Sequence, residues 1–191
     1  MTREQSPVVL VTKEITIDSA HHLEDYDGKC ANVHGHTYRI QVTARGIVDS
    51  KTQMVVDFSD LKRVMDEFIT QRFDHCDLNE AGKTLQTYYR LLSIDCEKNT
   101  MQKRYCDHLA EMFGIFTVKP TAELMSVIIF DTISSHIETT SSTIKLYSVR
   151  VWETPSSFAE YQGELEYTGD EHMCPRCGDI IDRNTFREGE E

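Results

Sequence analysis

No uninterrupted apolar run in the 191-residue chain approaches the roughly 20 residues that a membrane-spanning helix needs. The segment from Met1 to Val11 lacks the basic start and cleavage pattern of a secretory signal. A cytoplasmic setting is the expectation, and the six cysteines then read as thiols or metal ligands rather than disulfides. Basic residues are scarce, with 20 Lys+Arg against 32 Asp+Glu, and the net charge of -12 argues against nonspecific nucleic-acid binding through a broad basic face. No internal repeat is present. What remains is a chain long enough for one domain with a proper core.

Part of the acidity is local. From Gly163 to Glu191 nine Asp/Glu stand against three Arg, so this tail carries -6 and the body the other half. An anionic substrate would therefore need a locally basic pocket.

Val8 to Ala20 and Thr37 to Ile47 are rich in β-branched residues and alternate with period two. Ile15, Ile17 and Ser19 share one face; Tyr38, Ile40, Val42 and Ala44 share another. Leu23 to Asn32 reads as the linking loop. Asp57 can cap a helix to about Phe73, with Leu61, Val64, Met65, Phe68 and Ile69 forming one apolar stripe. A second helix starts at Pro120-Thr121 and ends near Thr139 to Ser142. Thr143 to Glu153 and Phe158 to Tyr167 are two further strands, with Pro155 in their turn. The expected architecture is α+β: a four-stranded antiparallel sheet with two helices on one face. Residues 80–119 interrupt it as an insertion, weakly helical at Leu85 to Leu92 and Tyr105 to Phe113. Residues 1–168 make the domain, and 169–191 a polar appendage.

His34-Gly35-His36 puts two imidazoles on one side of an extended chain, about 7 Å apart. Both rings can then reach one metal at zinc's bond length of about 2.0 to 2.1 Å. His21 or His22, ending the preceding strand, can add a third nitrogen; only one of them can face the site, and spacing does not choose. Three imidazoles leave a coordination position open, as catalytic zinc requires. By itself an H-x-H on a strand is more often polar decoration.

Other residues carry paired readings. Cys30, in the same loop, is a base activated by a nearby cation or a small buried hydrophobe. His75, beside Asp74, is a general acid/base or a complement to a helix end. Glu153 is a bidentate anchor for a guanidine-like ring edge or a solvated strand end. Glu123, three residues into the second helix, complements that helix's positive start.

Six blocks in one order resolve these choices. Ser19-Ala20-His21-His22-Leu23, Cys30-x3-His34-Gly35-His36, and Met54-Val55-Val56-Asp57-Phe58-x-Asp60-Leu61-Lys62 come first. Phe73-Asp74-His75-x2-Leu78-Asn79, Pro120-Thr121-x-Glu123 and Val151-Trp152-Glu153-Thr154 follow. Together they resemble the 6-pyruvoyltetrahydropterin synthase superfamily from about Thr12 to Tyr161. The resemblance implies the tunnelling fold, zinc held by His21, His34 and His36, and a catalytic thiol at Cys30. It makes His75 the partner acid/base assisted by Asp74, and Glu153 the pterin anchor, with Thr121 and Glu123 lining the pocket. The three-residue spacer between Cys30 and His34 is similar to the bacterial carboxytetrahydropterin enzymes of the queuosine (7-deazaguanine) pathway. That subfamily implies conversion of 7,8-dihydroneopterin triphosphate to 6-carboxytetrahydropterin, acetaldehyde and triphosphate. The family also implies a homo-oligomer, a hexamer of two trimers with shared active sites, that needs neither membrane nor nucleic acid. A pyruvoyl-type synthase is the second enzyme reading.

Two features depart from the family pattern: the 80–119 insertion, and Cys174-Pro175-Arg176-Cys177-Gly178. The latter is half of a zinc ribbon, which Cys96, Cys106, His108 or His172 could complete, as could a second tail. It also raises the reading of a non-catalytic, zinc-ribbon-like binding module. The alternative is a pair of thiols without a metal.

Overall fold

The computed structural model describes residues 7–96, 99–140 and 143–163. Two long strands form a hairpin: β1 (Val8–His21) and β2 (His34–Ile47), antiparallel from Val8↔Ile47 down to His21↔His34. Both strands reach further toward the loop than their β-branched cores suggest, so the histidines themselves are paired. Between them, Lys29–Ala31 forms a short 3₁₀ turn.

Asp57 caps α1 (Phe58–Met65), its carboxylate accepting from the Ser59 amide at 2.7 Å. The helix continues through a π turn, Asp66–Thr70, into Gln71–Phe73. Leu61, Val64, Met65 and Ile69 are buried as the stripe predicts; Phe68 is only partly so. After β3 (Cys76–Asp77) come α2 (Leu78–Asp95), α3 (Thr100–Phe116), α4 (Ala122–Thr140), β4 (Ile144–Thr154) and β5 (Ser157–Tyr161). Thr121 caps α4, its hydroxyl accepting from the Leu124 amide at 3.3 Å.

The sheet has five strands rather than the expected four, in the order β3-β1-β2-β4-β5, and it is only mostly antiparallel. β3 runs parallel to β1 through Ser19↔Cys76 and Ala20↔Asp77. His75, with φ 54°, makes the turn that lays these two residues along β1, and its amide donates to Asp18 O at 2.7 Å. Two residues are too few to show an alternation.

One face of the sheet is apolar. Ile17, Tyr38, Ile40, Val42, Val149 and Val151 are almost fully buried against α1 and α4. The insertion supplies two real helices longer than expected, and they share this core: Leu109, Phe113 and Phe116 are fully buried, and Phe113 stacks on Tyr89 at 5.5 Å. The tail beyond Gly163, with its Cys174 and Cys177, lies outside the described residues.

Candidate active site

The alternation that buries Tyr38, Ile40 and Val42 also fixes where the histidines point. His34 and His36 continue that face of β2, and His21 continues the Ile17–Ser19 face of β1. At this end the helices no longer cover the sheet fully, and three imidazoles meet instead of aliphatic chains. Their ring centroids are 4.5, 5.2 and 4.9 Å apart, and one ligand atom from each lies within 4.8 Å of the others. His22 points elsewhere, its backbone held by Asn79.

Hydrogen bonding sets the tautomers. His21 Nδ1 lies 2.9 Å from Pro120 O and His34 Nδ1 lies 2.7 Å from Asn32 O. A carbonyl only accepts, so Nδ1 of each ring carries a hydrogen and Nε2 is the nitrogen turned toward the cluster. Such outer bonds are how metal-binding imidazoles are oriented. His21 is 1% exposed, and burial, partly opposed by the Pro120 bond, holds its pKa below the usual value, which keeps it neutral. Nε2 of His21 and of His36 is buried without a hydrogen-bond partner.

Glu153 adds the decisive contact. Its Oε1 is 3.4 Å from His21 Nε2 and 3.7 Å from His36 Nε2. At His21, whose Nδ1 holds the hydrogen, a carboxylate oxygen facing the Nε2 lone pair is acceptor against acceptor, and a cation between or beside them resolves it. The residues therefore fit a metal ion, and Glu153 belongs to the site rather than to a solvated strand end.

Tyr38 completes the inner wall, a residue that the sequence offers only as one member of a buried strand face. Its ring is 5.5 Å from His36 and 6.0 Å from His21, and its hydroxyl is buried without a partner. Burial, reinforced by Glu153 and Cys30, pushes its phenol far above the ordinary range, so it remains a neutral donor. Cys30 itself is half-buried in the 3₁₀ turn.

His75 lies at the sheet edge beside Asp18 and lines an open recess with Ala20, Gly35, Thr37 and one of the three histidines, His36. Asp74 accepts from the Asp18 amide at 2.9 Å and lies 3.0 Å from His75 Nδ1. The Asp18 bond holds the Asp74 carboxyl below its usual range. The His75 side chain is 77% exposed. Glu123 is exposed on the first turn of α4, and Thr121 is occupied as that helix's cap.

A second unanticipated residue is Asn79, 1% exposed at the start of α2. Its amide donates to His22 O at 3.0 Å and Thr117 O at 2.8 Å and accepts from the His22 amide at 3.1 Å. It ties the end of β1, hence His21, to the insertion helices.

Three imidazoles gathered on a hairpin with a carboxylate beside them fit the metal site of an enzyme. Residues 10–164 match the model of the family described as 6-pyruvoyl tetrahydropterin synthase, and the chain belongs to that family. It is 35% identical over 159 residues to a Haemophilus influenzae protein named 6-carboxy-5,6,7,8-tetrahydropterin synthase, covering 80% of this chain and 97% of that protein. A Drosophila melanogaster 6-pyruvoyl tetrahydrobiopterin synthase is 26% identical over 86% of each chain. The solved 6-pyruvoyl tetrahydropterin synthase of Caenorhabditis elegans superposes with a TM-score of 0.58 at 27% identity, covering 83% of this chain and 98% of that one. No helix among the described residues is long and apolar enough to cross a membrane.

Proposed function

We propose that the chain is a zinc-dependent 6-carboxytetrahydropterin synthase of queuosine (7-deazaguanine) biosynthesis. It converts 7,8-dihydroneopterin triphosphate to 6-carboxy-5,6,7,8-tetrahydropterin, acetaldehyde and triphosphate. The observation that carries this reading is the bare Nε2 of His21 opposed by Glu153, inside a cluster of three imidazoles. The three-residue spacer after Cys30 and the likeness to the Haemophilus protein favour the carboxy product.

His21, His34 and His36 would hold zinc, which when bound supplies Lewis-acid polarisation of the substrate's side-chain oxygens. Glu153 takes hydrogen bonds from the guanidine-like edge of the pterin and fixes the ring against the hairpin. Cys30 accepts a proton from the carbon chain, and His75, oriented by Asp74, exchanges protons on the other side. Thr121 and Glu123 border the ring. His75, its side chain 77% exposed, reaches the imidazole site of a neighbouring copy. The working form is accordingly a homo-oligomer with shared sites, a hexamer of two trimers.

The test is the mass of the pterin formed from 7,8-dihydroneopterin triphosphate, with acetaldehyde trapped alongside. A 6-carboxytetrahydropterin with one acetaldehyde per turnover supports the reading. A 6-pyruvoyl product without acetaldehyde, as the Drosophila relative's name suggests, would assign the alternative activity.

A further inference from the structure

Tyr38 stands where the apolar face of the hairpin becomes the imidazole site. It pairs with Ile17 across β1, and along its own strand it lies between Ile40 and His36. The side chain is fully buried, its ring set edge-on to those of His36 and His21. A phenylalanine would fill this wall as well. The hydroxyl is the difference, and among the described residues it is buried with no hydrogen-bond partner. A buried hydroxyl without a partner costs free energy that packing does not return. An orphaned donor beside a binding site points to an acceptor that comes into place when the site is filled.

The register of β2 with β4 identifies that acceptor. Their pairing runs through Ile40↔Val151 to Arg39↔Trp152, and the next residues on the two strands are Tyr38 and Glu153. Side chains opposite each other on one face of neighbouring strands have Cβ atoms about 4.5–5.5 Å apart, within reach of a phenol and a carboxylate. Glu153 shares the face of Tyr38, because its Oε1 meets the same two imidazoles, His21 at 3.4 Å and His36 at 3.7 Å. In that position it accepts nothing from the phenol. An ionised carboxylate offers about four acceptor positions, enough for two hydrogen bonds from a ring edge and one from Tyr38. Burial, and after it Glu153, holds the phenol's pKa far above the ordinary range, so the proton needed for donation stays on the oxygen.

We propose that Tyr38 is a positioning residue: in the substrate-bound site its hydroxyl donates to the Glu153 carboxylate and holds it at the guanidine-like edge of the pterin. This role depends on Glu153 binding a pterin, as the proposed function has it. A carboxylate already fixed by one donor loses less freedom when the ring arrives, and it presents its remaining lone pairs in one orientation.

Zinc-loaded full-length protein titrated with unsubstituted pterin, followed by the fluorescence of the ring, tests this without turnover. Tyr38→Phe should keep the parent's zinc content and weaken pterin binding about 10-fold, the weight of one hydrogen bond to a charged group. Glu153→Ala should weaken it further. Adding Tyr38→Phe to Glu153→Ala should then change nothing more, because the hydroxyl has no carboxylate left to hold. The metal-free Tyr38→Phe chain should melt no lower than the parent, since it loses no hydrogen bond. Parent-like pterin affinity in Tyr38→Phe, or the same loss with and without Glu153, would overturn the proposal. So would a lower melting temperature of the metal-free variant, which would show that the hydroxyl already has an acceptor. A parent chain that takes up zinc but no pterin would instead overturn the proposed function, and this role with it.

Discussion

One face of β2 carries Ile40, Val42 and Ala44 at one end and His34 and His36 at the other. The backbone is the same, paired to β1 without a break. What differs is the cover. Over the apolar end, α1 and α4 remove water and every side chain is satisfied by packing. Over the histidine end, ring nitrogens are buried but left bare. The apolar end stabilises the hairpin, and that stability holds the imidazoles in an arrangement that costs free energy until a cation arrives.

The comparison is broken most severely at the histidine end. His34→Ala should remove the catalytic metal and abolish turnover, with metal content scored after Cys174 and Cys177 are mutated, while the melting temperature of the metal-free chain changes little. At the other end, Ile40→Ala, at a fully buried position, should cost about 2–5 kcal/mol of stability in denaturant titrations. It should leave metal affinity unchanged in whatever fraction remains folded.

Cys30→Ala sharpens the difference between holding and reacting. Its metal content and substrate affinity should match the parent, while the single-turnover rate falls by roughly 100-fold or more. Glu153→Ala should weaken substrate binding as well as rate, because it removes a contact made in the ground state too. Parent-like turnover in Cys30→Ala would reduce the thiol to loop packing and shift the search for the base to His75.

Asn79 bridges the two regions, and Asn79→Ala should touch both. Its loss strands the backbone groups of His22 and Thr117, costing about 1–3 kcal/mol. By loosening His21 it should also weaken metal binding by about 10-fold, at the low end for outer partners of ligands. The smallest effect is expected from His22→Ala, which should keep metal and turnover; loss of the metal there would reverse the choice between His21 and His22.

These regions were not equally legible in the sequence. The hairpin, α1 and α4 announce themselves because each buries one face at a regular period, and His34-Gly35-His36 inherits its direction from the strand it begins. Spacing alone left His21 and His22 undecided; pairing His21 with His34 settles it. The insertion was faint for a physical reason: α2 exposes Leu91 and Ile94 and buries Asn79 and Ser93, so its polarity does not follow its burial. β3 escaped because two residues cannot alternate. Asn79 escaped as a positioning residue because its partners are backbone groups 38 and 57 residues away. The placement of His75 at the sheet edge beside Asp18 follows from a left-handed turn that no residue pattern marks.

If the proposed function holds, the three imidazoles act through a metal. The most direct measurement is turnover of 7,8-dihydroneopterin triphosphate by chelator-stripped protein during titration with zinc. Carboxypterin and acetaldehyde should appear in proportion to added zinc up to one equivalent at the imidazole site, and His34→Ala should stay silent throughout. Full activity in the stripped chain, or zinc-restored activity that survives His34→Ala, would contradict it.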